Sequence, residues 1–552
     1  MKKTLTITFI TLLIFILSIG SVLANDEITR GGMVKMVGQW GSLTNNFNPF
    51  LASGQNAPGT RSALYETIFF VSILDGEVTP VLGTSYEWTD NNKKLVIKTR
   101  EGVNWSDGTP FTAKDVAFTF NYMKEYPALD LNGVWANNLE KVEAVDNNTV
   151  ELSFSKQNIP VFRYVAHTLI VPEHIWSEID NPSTYTNTNP VVTGPFVKGI
   201  FNSQAVIYPR NKDYWMEDKP YVDKIAYQAV KSNDTTILML LKKKVDYSNL
   251  FVPDVNKAWA EKDTAHNKYW WPVTNANILY LNNTKAPFDN VAFRQALANV
   301  IDKDILSEKA LYGVVAGAHS TGIIPGQQSK WLDKSLSDEV YNFNPEKSKE
   351  ILKDAGYTWD ASGALVSPEG NKVPSLNILV GAGWTDFISM AQLISENAKE
   401  IGVQMDIQQE PWNSYINSLM GGTYDTAISW GTGGGSTPYD LYYRTLESSF
   451  SGLDDGSAES NYSRYSNPDV DEVLATFRSS SDPEVQFEAI SYLQNVVLTE
   501  VPYIPLTYRA NTNIYQDSVL AGWPTEENPI SGGDPGDELG ARIMLLNLHL
   551  KN

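Results

Sequence analysis

The sequence predicts an α/β protein. Three stretches carry that expectation: a strand-helix-strand pattern from Leu376 to Ile407, a capped helix opening at Thr112, and another opening at Asn344. Leu376 to Val380 reads as a short buried strand. Ile394, Ala398 and Ile401 fall on one face of the helix that follows, and Gly402 closes it. Val403, Met405 and Ile407 then alternate as a second strand. A crossover of this kind is right-handed and leaves its two strands parallel. In the second stretch, Asp115 follows Thr112 by three residues in a capping-box arrangement, and Val116, Phe120 and Met123 recur at helical spacing. The turn Ser106-Asp107-Gly108-Thr109-Pro110 precedes it. In the third, Asn344 and Pro345 are cap and first residue, Leu352 and Ala355 lie on the buried side, and Gly356 ends the helix. No internal repeat or low-complexity linker interrupts the alternation.

A chain of 552 residues exceeds one ordinary core, so two or more packing units are expected. With 42% hydrophobic and 19% charged residues, the composition is globular. A net charge of -21 repels nucleic-acid phosphates and anionic lipid headgroups, which sets both aside as partners. Residues 1–24 read as a signal peptide. Lys2 and Lys3 form its basic start, Leu5 to Ile19 is mostly apolar, and Val22-Leu23-Ala24 places cleavage after Ala24. The alternative is a retained anchor, but the apolar run is short for a span and no basic cluster follows it. No cysteine occurs, which excludes disulfides, thiolate metal sites, a cysteine nucleophile and a lipid-attachment cysteine. The expectation is a soluble monomer in a periplasmic or other extracytoplasmic space.

Enzyme signatures are missing. The chain has no Gly-x-Ser-x-Gly elbow, no His-Glu-x-x-His helix and no phosphate-cradling loop ending in Gly-Lys-Ser/Thr. Its histidines, His167, His174, His266, His319 and His549, share no helix face, so no metal site is expected. No cofactor is implied. Acidic residues are plentiful enough that counting alone leaves a glycosidase-like carboxylate pair open, although runs such as Asp454-Asp455 suit solvated loops.

Aromatic residues stand out: 15 Trp, 27 Tyr and 21 Phe. Most must be core, as expected for Trp105 and Trp176. Trp40, Trp384 and Trp430 differ, because each sits at a predicted strand end beside Gly, Asn, Ser or Thr. Trp40 follows the strand Met33 to Val37. Trp384 lies in the loop Gly381 to Thr385, and Trp430 leads into Gly431-Thr432-Gly433-Gly434-Gly435-Ser436. Ligands of open α/β sheets bind outside the carboxyl ends of strands. A flat ring among neutral hydrogen-bonding groups suits a sugar, because the ring covers its C–H face while amides meet its hydroxyls. Cleft and core both remain open for each of the three tryptophans. Asn45, Asn46, Asn275 and Asn277 occupy similar strand-end or crossover positions, and Gly433 and Ser436 belong to a loop whose glycines let it pass close to a ligand.

The segment Gly102-Val103-Asn104-Trp105-Ser106-Asp107-Gly108-Thr109-Pro110-Phe111-Thr112-Ala113-Lys114-Asp115-Val116-Ala117-Phe118 resembles the signature of the family 5 extracellular solute-binding proteins. Further similar motifs follow in order: Pro80-Val81-Leu82-Gly83, Val171-Pro172-Glu173-His174-Ile175-Trp176, Thr193-Gly194-Pro195-Phe196, Phe293-Arg294-Gln295-Ala296-Leu297 and Val501-Pro502-Tyr503-Ile504-Pro505-Leu506. The resemblance implies the binding component of an ABC importer, not an enzyme, working with membrane permease subunits. It implies a two-lobed, class II-like periplasmic binding-protein fold with an extra subdomain in the first lobe. On that pattern lobe 1 is 25–274 plus 512–552, with the insert at about 63–190, and lobe 2 is 275–511. In peptide-binding members an Asp closely follows the strand-end Trp and pairs with the peptide amine. Here the first acid after Trp430 is Asp440, beyond Pro438. A buried amine without a counter-charge is costly, which argues for the subgroup that binds β-linked oligosaccharides such as cello- or manno-oligosaccharides. An oligopeptide carrier is the alternative, and a secreted glycosidase a further one. Nickel binding is disfavoured by the scattered histidines.

Overall fold

Strand Met33–Trp40 is the first regular element, and it is paired on both sides. It runs parallel to Lys224–Val230 and to Tyr247–Ser248 at the centre of a seven-stranded sheet. The computed structural model describes residues 28–551, apart from 41, 52–54, 231–232, 340, 432–434, 455 and 534–536. The expected signal peptide therefore lies outside the described residues. The seven-stranded sheet draws on 33–270 and on the returning strand Asn513–Gln516. A second sheet of five strands is ordered 405–410, 376–381, 426–430, 273–281, 503–510. An antiparallel four-stranded sheet from 83 to 154 forms the core of the inserted subdomain. The result is an α/β fold of two lobes. The sheets fall on either side of the boundaries expected near 274 and 512, and we keep that division as a proposal.

The two chain crossings lie side by side. Strand Val273–Leu281 pairs antiparallel with Tyr503–Ala510, and the Asn511 amide donates to the Pro272 carbonyl at 3.0 Å. Both crossings thus leave the second lobe from one end of its sheet.

Local chemistry explains the elements nearby. Thr112 caps helix Ala113–Glu125, and Asp115 accepts from the Thr112 amide at 2.9 Å, completing a capping box. Asn344 caps Pro345–Asp354 by accepting from the Lys347 amide at 3.0 Å. Strands Leu376–Gly381 and Met405–Glu410 are parallel, joined by helix Thr385–Lys399. The second of these strands starts at Met405 rather than Val403. The Val403 amide donates to the Ala398 carbonyl at 3.1 Å, so Val403 still belongs to the helix-ending turn around Gly402. The first strand extends to Trp40 instead of stopping at Val37, because a register shift at Gln39 lets pairing continue to Val230. Trp105 and Trp176 are buried, the latter among Phe50, Tyr122 and Tyr185.

Candidate ligand-binding cleft

The five-stranded sheet brings the carboxyl ends of two neighbouring strands to one edge. Strand Leu376–Gly381 ends beside strand Thr426–Trp430, with which it runs parallel. Trp430 pairs with Asn277 in the next strand, and Asn277 pairs with Thr507 beyond it. Gly381 makes room at this edge: a Cβ there would stand 2.4 Å from the Trp384 indole. Absence of a side chain lets that indole fold down over the strand end. The Trp384 and Trp430 ring centroids are then 5.3 Å apart with planes tilted by 41°. Tyr415 and Phe387 hold Trp384 from behind, edge-on, at 5.0 and 5.4 Å.

These two tryptophans and Asn277 line a cavity of about 830 Å³. That is the size of a small-molecule site. The first lobe supplies Asn249 and Phe251, and the crossings supply Trp271, Asn511 and Thr512. The cavity therefore spans both lobes beside the crossings. Asn277 donates to Thr507 Oγ1 at 3.0 Å, while its buried Oδ1 has no partner among the described residues. The Trp271 indole N–H is likewise buried without an acceptor there.

Two charged residues that the sequence does not single out also face the cavity. Arg509, in strand Tyr503–Ala510, places its guanidinium 5.4 Å from the Trp430 ring centroid. Asp386 lies in the first turn of helix Thr385–Lys399. Burial pushes the Asp386 carboxyl above the usual carboxylate range, opposed by helix amides and by Arg509. Burial pulls Arg509 below its ordinary value, opposed by Asp386. Each feels the other's charge, yet no ion pair within 4.0 Å joins them. The sequence shows no acid close behind Trp430, yet a carboxylate does face the cavity. The acid comes from a helix 44 positions upstream of Trp430, not from the loop behind it.

The remaining expected site residues sit elsewhere. Asn275 is half-buried opposite Arg509 in the ladder, its Oδ1 unpartnered among the described residues, and it does not line the cavity. Asn45 is exposed, and Asn46 accepts from the Asn48 amide at 3.0 Å in a local turn; neither lines the cavity. Trp40 closes its strand, but its side chain lies outside the described part of the structure, as does all of Gly433. Ser436 is exposed at a different pocket, of about 310 Å³, between the inserted subdomain and the second lobe. Its carbonyl accepts from Trp331 Nε1 at 2.7 Å. The loop after Trp430 runs there because the Gly435 amide donates to the Ile73 carbonyl at 2.6 Å. Asp440 faces the same boundary, its Oδ2 2.8 Å from Arg163 Nη1.

No group of three or more His, Asp or Glu residues is placed to hold a metal ion among the described residues. No described helix is long and apolar enough to cross a membrane.

A two-lobed α/β fold with a cavity at the paired crossings defines a solute-binding protein of the periplasmic type. More particularly, residues 77–452 match the model of the bacterial extracellular solute-binding proteins, family 5, and the chain belongs to that family. Its members are binding components of ABC importers rather than enzymes, and are periplasmic or extracytoplasmic. This chain is such a component: it binds a small-molecule ligand and works with a membrane permease. It is 25% identical to the dipeptide-binding protein of Escherichia coli over 486 residues, covering 84% of this chain and 87% of that one. It is 22% identical to the glutathione-binding protein of Escherichia coli over 495 residues, covering 88% and 90%. Among solved structures it resembles the periplasmic oligopeptide-binding protein of an oligopeptide ABC transporter from Thermotoga maritima, solved with bound mannohexaose. That likeness has a TM-score of 0.82 at 27% identity, over 94% of this chain and 99% of the other.

Proposed function

We propose that this protein captures β-linked oligosaccharides, such as cello- or manno-oligosaccharides, for import. The observation that carries this reading is the tilted pair Trp384 and Trp430 lining a cavity whose neutral polar residues include Asn249, Asn511 and Thr512. A pyranose ring presents an apolar face to an indole and hydroxyls to such groups. The mannohexaose bound to the Thermotoga maritima protein supports it. A stacking tryptophan is worth about 2 kcal/mol or more when truncated, against about 1 kcal/mol for a neutral hydrogen bond. The rings thus set affinity and the amides set orientation. A thermal-shift screen against mannohexaose, cellohexaose, dipeptides and glutathione tests the reading. A ligand at about 100 times its Kd adds about 2.7 kcal/mol of stability. Shifts by the sugars and none by the peptides are the expected result; the reverse pattern overturns it.

A second reading, oligopeptide capture, is favoured by Asp386 and Arg509, which offer a counter-charge to an amine and to a carboxylate. The dipeptide- and glutathione-binding relatives favour it too. Affinity of a zwitterion for such a pair falls with added salt, whereas affinity for a neutral sugar does not. We also propose a monomer processed after Ala24; native protein then begins at Asn25 on N-terminal sequencing and elutes at monomer size.

A further inference from the structure

The Arg509 guanidinium is the most under-used polar group in the cleft. It lines the cavity over Trp430 and donates no hydrogen bond to any described residue. Arginine carries five N–H donors in a rigid fork, and withdrawing them from water without acceptors is unfavourable. Asp386 faces the same cavity and is close enough for its charge to act on Arg509, without contact. Donors and acceptors are therefore held apart beside an indole face. A hydroxyl is the ligand group that both accepts and donates, and a pyranose carries hydroxyls on adjacent carbons. A peptide fits less well. Its termini separate by about 3.5 Å per residue when extended, so a tetrapeptide cannot bring both ends to two neighbouring side chains.

We infer that Arg509 and Asp386 are the specificity-determining pair of the cleft: Arg509 donates to, and Asp386 accepts from, neighbouring hydroxyls of the sugar ring that lies on Trp430. This inference rests on the oligosaccharide reading. Because the pair is neutral overall, it selects an uncharged polyol over a ligand with one net charge. It also makes binding insensitive to salt.

The test is calorimetry of mannohexaose and cellohexaose on the parent protein and on Arg509→Gln, Arg509→Lys and Asp386→Asn. Unchanged melting temperatures establish that each variant is folded. Arg509→Lys keeps the charge and loses the forked donors, so it separates hydroxyl recognition from simple charge balance. Loss of about 10- to 100-fold is expected for each variant, the range for hydrogen bonds to charged groups. Parent affinity should move less than about twofold between 0.05 and 0.5 M salt. If the parent binds sugar and all three variants bind it as tightly, this inference is overturned while the oligosaccharide reading stands. If the parent binds neither sugar, both fall. If the parent instead binds a tetrapeptide and the variants lose it, the pair reads peptide termini and the inference is likewise overturned.

Discussion

Replacing Asp440 by Asn should weaken ligand capture although Asp440 does not line the cleft. Its carboxylate ties helix Tyr439–Leu446 of the second lobe to Phe162–Ala166 of the inserted subdomain. Arg163 Nη1 approaches Asp440 Oδ2 to 2.8 Å, the Tyr164 hydroxyl donates to Oδ1 at 3.3 Å, and Arg444 Nη2 donates to that hydroxyl at 3.4 Å. Side-chain exposures of 26% for Arg163 and 17% for Asp440 set the magnitude, because the pair is neither a surface contact nor fully buried. Exposed pairs contribute about 0–1 kcal/mol, and hydrogen bonds to charged groups about 1.5–3 kcal/mol. An intermediate value of about 1.5 kcal/mol is a change of about twelvefold in the equilibrium between separated and joined lobes.

A ligand touching both lobes binds the joined form, so its apparent affinity falls with that form's population. Where the separated form dominates the free protein, Asp440→Asn therefore loses about tenfold in affinity, mostly through faster release. Calorimetry on Asp440→Asn, Arg163→Gln and the double variant provides the cycle, with a coupling of about 1–2 kcal/mol expected. Small-angle scattering at a ligand concentration that half-saturates the parent should then give the variants the larger radius of gyration. Affinity within twofold of the parent together with an unchanged radius would refute the reasoning.

Two further outcomes follow from single side chains. Gly381→Ala puts a methyl group 2.4 Å from the Trp384 ring, so the indole must move; a loss of about 1–3 kcal/mol in stability and an altered tryptophan emission spectrum are expected, and an unchanged spectrum would show that the ring is not held there. His167 is half-buried, accepts from the Val71 amide at 3.0 Å, and is pushed down to about 3, chiefly by desolvation and then by Arg163. The unfolded chain takes up this proton near its ordinary value of 6.5 while the folded protein does not until about 3. This group's contribution is thus intact above the ordinary value and is lost as pH falls below it, by up to about 1.4 kcal/mol per pH unit. Glu66 and Asp537, whose carboxyls burial raises, act in the opposite direction and cancel when parent and variant are compared. Denaturant unfolding from pH 7 to 4 should accordingly show a smaller acid loss in His167→Gln than in the parent, and equal slopes would count against an imidazole kept neutral in the folded protein.

What the sequence reveals of this molecule depends on how local its determinants are. The capping box at Thr112 and Asp115 and the cap at Asn344 are complete within four residues, so the helices they open are readable from the chain alone. Trp384 and Trp430 are readable for a similar reason: each follows a buried strand, and the carboxyl ends of parallel strands share one edge. Asparagines mislead because the same amide suits a ligand or a turn. Asn46 and Asn48 each accept from the backbone two residues on, a local use that sequence neighbours Phe47 and Pro49 do not betray. The Gly-rich loop after Trp430 misleads differently, since its glycines permit close approach without saying to what. Its far end approaches the inserted subdomain through Ile73 and Gly76, more than 350 positions away.

Arg509 and Asp386 could not be found by pattern. Read locally, Asp386 is a favourable acid in a helix first turn and Arg509 is the last residue but one of a mostly buried strand. Their convergence needs two long-range facts at once. Strand Tyr503–Ala510 must pair with Val273–Leu281 so that Arg509 falls opposite Asn275, and Gly381 must let Trp384 turn so that its helix starts at the cavity rim. Register across the sheet, more than any motif, therefore decides which charges face the cavity. Family likeness in the motifs that keep the fold says little about them, because neither residue lies in any of those motifs.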